Sequence, residues 1–307
     1  FYMIRSSRAA AALPFQLSRQ FGDSSYIAMD SRLDGIARDL CVVEEDVDLQ
    51  NVELEYGQSA VLFDLSAKKV LFSQNAYERI YPASLTKIMT ALVVMRYANM
   101  SDTVIITPAD LSLEEGSQVC GFEVGDVLTV DQLLRSLLVY SGNDAAQALA
   151  NHVGGSVADF VSLMNAYAQE LGMTGTQFSN PHGLHAETHY TTIYDIYLML
   201  QEAYGYSLFT EITSLSYYDV IYKNAAGEDA SIHMNSTDYY LCGEATPPRN
   251  VTILGGKTGT TDQAGNCLAL ITQNGEGNPF ISIVLGASEK PVLYSEMSAL
   301  LQNINGQ

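Results

Sequence analysis

The sequence predicts an α+β fold: an antiparallel β-sheet flanked by helices, with a helical insertion. Two observations predict it. Strand-patterned segments stand near both ends of the chain, and a helix-patterned block lies between them. In addition, the stretch Tyr81–Asn99 carries apolar residues on nearly every helical face, so that helix must be enclosed by protein.

The elements follow in order. Residues 1–50 have weak periodicity, Arg-rich at first and acidic at Glu44-Glu45-Asp46-Val47-Asp48; they read as a leader segment, not an independent domain. Residues 51–307 form the folded domain. Ser59–Leu65 alternates, Ser66-Ala67-Lys68-Lys69 turns, and Val70-Leu71-Phe72 returns, which predicts a hairpin. Pro82 then opens the central helix. After Asn99, Pro108, Gly116, Gly121 and Gly125 mark short strands and loops. Helical patterns occupy Val130–Tyr140, Asp144–Val153 and Val157–Leu171, and Gly172 follows a helix end. Thr174–Thr192 is a polar loop, and Ile193–Ala203 is helical again. From Leu215 the period becomes that of strands, at Ser216–Tyr222, Ser231–Met234, Val251–Leu254, Cys267–Thr272 and Phe280–Leu285. Pro291–Ile304 reads as a closing helix. The strands are expected to share one sheet.

Composition narrows the function. With 307 residues and 47% hydrophobic content, the chain can bury a large core. A formal charge of −20 argues against nucleic acid as a partner and against electrostatic adhesion to an anionic membrane or wall polymer. Cys41, Cys120, Cys242 and Cys267 lack C-x-x-C spacing, unlike zinc or thioredoxin-like sites, and the spacing leaves their pairing open. No run approaches the ~18 apolar residues of a membrane span. His182, His185 and His189 with Glu187 could be weighed as metal ligands, but Gly183 and the Thr-rich surroundings argue for a loop, so no metal is expected.

Three short motifs carry chemistry. Ser84 and Lys87 lie one helical turn apart in the enclosed helix, where an ammonium is costly to bury unless it is used. A desolvated lysine near a second cation can take the serine proton, and the first-turn N–H of the serine can face an oxyanion. The pattern alone is weak, since Ser66-Ala67-Lys68-Lys69 repeats it in a turn. Ser141-Gly142-Asn143 lies between two helices; its hydroxyl can relay a proton, and its amide can orient Lys87 and a carbonyl. Ser73-Gln74-Asn75 repeats that pattern without evident use. Lys257-Thr258-Gly259-Thr260 lies on a strand: Lys257 and Thr258 offer a cation and a hydroxyl to a carboxylate, Gly259 lets a substrate backbone approach, and Thr260 N–H is a second oxyanion donor.

The ordered set Ser84-x-x-Lys87, Ser141-x-Asn143 and Lys257-Thr258-Gly259 resembles the penicillin-recognising serine enzymes. Pro82–Thr90, Leu138–Ala146, Met164-Asn165, Leu171-Gly172-Met173, Asn180–Leu184 and Gly256–Thr261 narrow the resemblance to the serine D-alanyl-D-alanine carboxypeptidases of peptidase family S11, over roughly residues 55–305. The resemblance implies a penicillin-binding catalytic domain over residues 51–307, an antiparallel sheet flanked by helices with an all-helical lobe at about 99–206, and its site in the groove between them. It implies a substrate, the peptidoglycan stem pentapeptide ending in D-Ala-D-Ala, cleaved through a Ser84 acyl-enzyme. It also implies covalent inhibition by β-lactams, no cofactor, and an extracytoplasmic location in the bacterial cell envelope or secreted. The Glu-x-x-Leu-Asn setting of class A β-lactamases is absent between Asn143 and Lys257, which disfavours the alternative of a β-lactamase; intact motifs disfavour a silent penicillin-binding protein. Many family members carry Asn-x-Asn before the third motif, whereas this chain reads His233-Met234-Asn235. The β-rich domain and membrane-anchoring helix that often follow in the family do not fit before Gln307, leaving membrane attachment open.

Overall fold

A computed structural model describes residues 40–305; the bulk of the expected leader, residues 1–39, lies outside the described residues. Among the described residues the first elements are a hairpin, β1 (Ser59–Asp64) and β2 (Lys69–Gln74), then a 3₁₀ turn, Ala83–Leu85, that runs into α1 (Thr86–Tyr97). Short strands β3 (Thr103–Ile105) and β4 (Val127–Thr129) precede α2 (Val130–Arg135), which continues as a π-helical segment, Ser136–Tyr140. Helices α3 (Asn143–Gly154), α4 (Val157–Glu170), α5 (Ile193–Tyr204) and α6 (Ser207–Thr213) complete the helical block. Then follow β5 (Tyr217–Lys223), β6 (Asp229–Asn235), α7 (Tyr239–Cys242), β7 (Val251–Thr261), β8 (Gly265–Asn274), β9 (Pro279–Ala287), α8 (Lys290–Leu301) and a closing 3₁₀ turn, Gln302–Asn305.

The expectation of a single sheet is corrected. Five strands, in the order β2-β1-β9-β8-β7, form the main antiparallel sheet, and β3-β4-β5-β6 form a second one. The reason is visible in burial. The β5–β6 hairpin is buried mainly at Val220 and Met234, while its other positions are half-buried or exposed, so it does not suit the centre of a sheet covered on both faces. By contrast β8 and β9 are buried at nearly every position, which demands cover on both sides. One face receives α8 through Leu293, Met297, Leu300 and Leu301 against Leu62, Leu268, Leu270 and Val284. On the other, Phe63 meets Tyr197 of α5 at 4.2 Å between ring centroids. Burying each such large side chain contributes about 1.5–3 kcal/mol.

Helix α1 is buried along its whole first face and beyond, from Leu85 through Val94. It sits among α3, α4, α5 and the π segment, as a helix without a polar stripe must. Residues 41–47, read from sequence as leader, lie on the domain. Cys41 N–H donates to the Tyr197 hydroxyl (2.8 Å), Tyr77 donates to the Val43 carbonyl (2.6 Å), and Val47 pairs with Ser73 of β2. All four cysteines are free thiols. Among the described residues no helix is long and apolar enough to cross a membrane.

Candidate active site

The groove that matters opens at the start of α1. It encloses ≈ 290 Å³ and is lined by Ser84, Ser141, Asn143, Thr258, Gly259 and Thr260, together with Thr237 and Tyr294. The expected motifs, far apart in sequence, thus meet in one place. Lys87 and Lys257 are buried beneath its floor, 0% and 2% exposed.

Lys87 Nζ has three oxygen partners: Ser84 Oγ at 2.9 Å, Asn143 Oδ1 at 2.7 Å and the His182 carbonyl at 2.8 Å. Burial holds its pKa well below the usual ammonium range, and the charge of Lys257 lowers it further. Two of those partners, the amide oxygen and the carbonyl, can only accept. A neutral amine satisfies both with its two N–H groups and turns its lone pair toward the Ser84 hydroxyl. Lys257 is pulled down to about 7 by burial, opposed by the charge of Asp238. Its ammonium donates to the Thr258 carbonyl at 3.0 Å.

Two residues beside the reacting groups adopt left-handed backbone. Ala83, immediately before Ser84, has φ 47°, and Ser141 has φ 69° where the π segment ends. Each costs on the order of 1–2 kcal/mol for a non-glycine residue and persists only where its surroundings over-determine it. At Ala83 those surroundings are explicit. Ser179 N–H donates to His189 Nδ1 (3.0 Å), which leaves the proton on Nε2 to reach Thr86 Oγ1 (2.7 Å). Thr86 in turn donates to the Ala83 carbonyl at 2.8 Å. Gly183 closes the other side: a Cβ there would lie 1.9 Å from the same carbonyl oxygen.

Several of these groups carried no signal in the sequence. The His182 carbonyl, His189 and Thr86 act through backbone and second partners, and nothing in residue type announces that. His189 has both ring nitrogens in hydrogen bonds, and burial pulls it down to about 4. His182 Nδ1 accepts from Leu184 N–H (3.2 Å). The two are thus neutral parts of a loop that grips α1; His185 stacks edge-on against Tyr81. Gly259 has a second reason besides the expected one. An added Cβ would approach Ser84 N to 3.0 Å, so the glycine also admits the serine turn. His233 and Asn235 pair with each other on the exposed β5–β6 hairpin, and His233 also meets Asp219 at 2.7 Å. The side chain at the groove is instead Thr237, whose hydroxyl meets that of Thr258 at 2.5 Å.

A family model for D-alanyl-D-alanine carboxypeptidases, peptidase family S11, matches residues 49–289. The chain belongs to this family. This S11 member is 34% identical over 249 residues to D-alanyl-D-alanine carboxypeptidase DacF of Bacillus subtilis (strain 168), covering 80% of this chain and 61% of DacF. It is 32% identical over 268 residues to D-alanyl-D-alanine carboxypeptidase DacC of Escherichia coli (strain K12), covering 84% of this chain and 62% of DacC. The chain thus spans less than two thirds of the length of these relatives. The crystal structure of the Streptomyces K15 DD-transpeptidase superposes with a TM-score of 0.73 at 27% identity, covering 79% of this chain and 94% of that one. D-alanyl-D-alanine carboxypeptidase DacD from Francisella tularensis gives 0.70 at 26% identity, covering 85% and 73%.

Proposed function

We propose that this S11 member is a serine D-alanyl-D-alanine carboxypeptidase that removes the terminal D-Ala from peptidoglycan stem pentapeptides through a Ser84 acyl-enzyme. The observation that carries the proposal is the 2.9 Å contact between Ser84 Oγ and the buried Lys87, whose pKa burial lowers. Residues 51–307 are taken as the catalytic domain, with the helical lobe at about 99–206.

Lys87 takes the Ser84 proton while Ser84 Oγ attacks the carbonyl of the penultimate D-Ala. Ser84 N–H, in a first turn that lacks intrahelical acceptors, and Thr260 N–H hold the oxyanion, each donor worth roughly 3 kcal/mol. Asn143 orients Lys87 and the peptide. Ser141 relays a proton to the leaving D-Ala amine. Lys257, Thr258 and Thr260 receive the terminal carboxylate, with the Thr237–Thr258 contact fixing one hydroxyl. Water then attacks the ester, with Lys87 again as base, and Ser84 recovers its proton. No cofactor takes part. β-Lactams, whose strained amide copies the scissile bond, would acylate the same serine. An extracytoplasmic place in the bacterial envelope follows from the substrate.

Incubation with an N-acylated D-Ala-D-Ala peptide and with penicillin tests this by mass. Release of D-Ala and a stable penicilloyl adduct, both lost in Ser84→Ala, are expected. Full D-Ala release by Ser84→Ala would overturn the assignment, and rapid penicillin turnover would favour a β-lactamase.

A further inference from the structure

Ser141 is a non-glycine residue at φ 69°, set between the π-helical segment and the start of α3. Part of what holds it there comes from outside both elements. Residues 116–118 line the same groove, and Gln118 brackets the serine. Its side-chain amide donates to the carbonyl of Tyr140, the residue before Ser141. Its backbone carbonyl accepts from Asn143 N–H, two residues after Ser141, at 2.8 Å. A carbonyl can only accept, so the NH₂ end of the Gln118 amide is the one that faces Tyr140.

The bracket is itself anchored. Cys120 N–H and Gly121 N–H donate to the buried Asp144 carboxylate at 2.9 and 3.1 Å. Gly142 completes the fit, since a Cβ there would lie 2.1 Å from Cys120 Sγ and 2.9 Å from Asp144 Oδ1. Loop and motif interlock, so a displacement of one displaces the other. The Gln118 side chain is exposed, and replacing it leaves the buried core alone.

The consequence rests on the function proposed above. There Ser141 Oγ gives its proton to the leaving amine as the C–N bond breaks and takes up the proton that Lys87 removed from Ser84. Left-handed backbone at a serine persists only while its surroundings enforce it, and a hydroxyl that drifts from the line between Lys87 and the leaving nitrogen cannot serve both. We propose that Gln118 is the positioning residue of this proton relay, its side-chain amide holding the Tyr140 carbonyl so that Ser141 keeps its left-handed conformation.

Two substrates with one acyl group test this. One is an N-acylated D-Ala-D-Ala peptide, whose amine must be protonated to leave. The other is the thioester in which thioglycolate replaces the terminal D-Ala, whose thiolate leaves without a proton. Gln118→Met keeps the length of the side chain and removes the donor. It should lower kcat/KM about tenfold for the peptide and much less for the thioester. Gln118→Lys, which can still donate to Tyr140, should recover part of the loss. An equal fall on both substrates, or no fall on the peptide, overturns the role of Gln118. Ser141→Ala should show the same preference for the thioester, and more strongly; if it does not, the relay is wrong and the role of Gln118 falls with it. Failure of the wild type to cleave either substrate, with no penicillin adduct, overturns the carboxypeptidase reading itself.

Discussion

His189 Nε2 lies 2.7 Å from Thr86 Oγ1, and through that hydroxyl a loop a hundred residues away in sequence holds the carbonyl before Ser84. His189→Ala removes the donor to Thr86 and orphans the Ser179 N–H, each costing about 1–3 kcal/mol when buried. Penicillin acylation should slow by about tenfold or more, with the melting temperature lowered; His189→Gln should restore part of both. An unchanged acylation rate would separate the loop from the nucleophile.

The same histidine sets an acid limit. Its pKa is lowered by burial to about 4, below the value near 6.5 that it has when unfolded. Between those values the unfolded chain binds a proton that the folded one refuses, so stability falls as pH drops from about 6.5 toward 4. Denaturant titrations across that window should show a shallower loss in His189→Gln than in the wild type.

Gly183→Ala is expected to be among the most damaging single-methyl additions. Its Cβ would meet the Ala83 carbonyl at 1.9 Å, from a backbone at φ 91°. The clash falls on the turn that presents Ser84, so acylation should fall by about a hundredfold, whereas overpacking lowers stability by only about 1–3 kcal/mol. Circular dichroism beside the acylation rate separates the two effects.

Lys87→Met keeps the burial and removes the base. Acylation should fall by about 10²–10⁴, the usual worth of a positioned proton acceptor. The same change deletes two buried hydrogen bonds, to Asn143 and His182, but also the cost of burying an amine. Thermal stability should therefore be near that of the wild type, while stopped-flow acylation collapses.

The pH profile of kcat/KM should have two limbs. Lys87 must be neutral, so activity falls as pH drops through its lowered pKa; Lys257 must be charged to hold the carboxylate, so activity falls as pH rises through about 7. Asp238 raises the Lys257 value, so Asp238→Asn should move the basic limb to lower pH. Lys257→Arg, always charged, should abolish that limb.

Much of this arrangement was legible because chemistry and period coincide. Ser84 and Lys87 stood out as polar residues on a helix with no polar face, and Lys257-Thr258-Gly259 stood out as a rare triplet on a strand. The division into two sheets was not legible, because Tyr217–Lys223 and Ser231–Met234 have the same alternation whichever sheet they join. The short helices at Ser207–Thr213 and Tyr239–Cys242 were missed, being too brief to show a period. The π segment Ser136–Tyr140 reads as ordinary helix by its apolar pattern, yet its end is what places Ser141 in the left-handed region. Thr237 escaped because a lone threonine after a hairpin has no signature; only its hydroxyl contact with Thr258 reveals it.

The main sheet has two borders of unlike character. Along β2 the chain itself lies against the rim, where Val47 pairs with Ser73, while along β7 the rim faces the groove. A border capped at one bridge and another left open offer a foreign strand unequal access, so at β7 stray self-association and productive docking compete for the same few amide groups. Whatever occupies that margin in the working enzyme also shields it from aggregation.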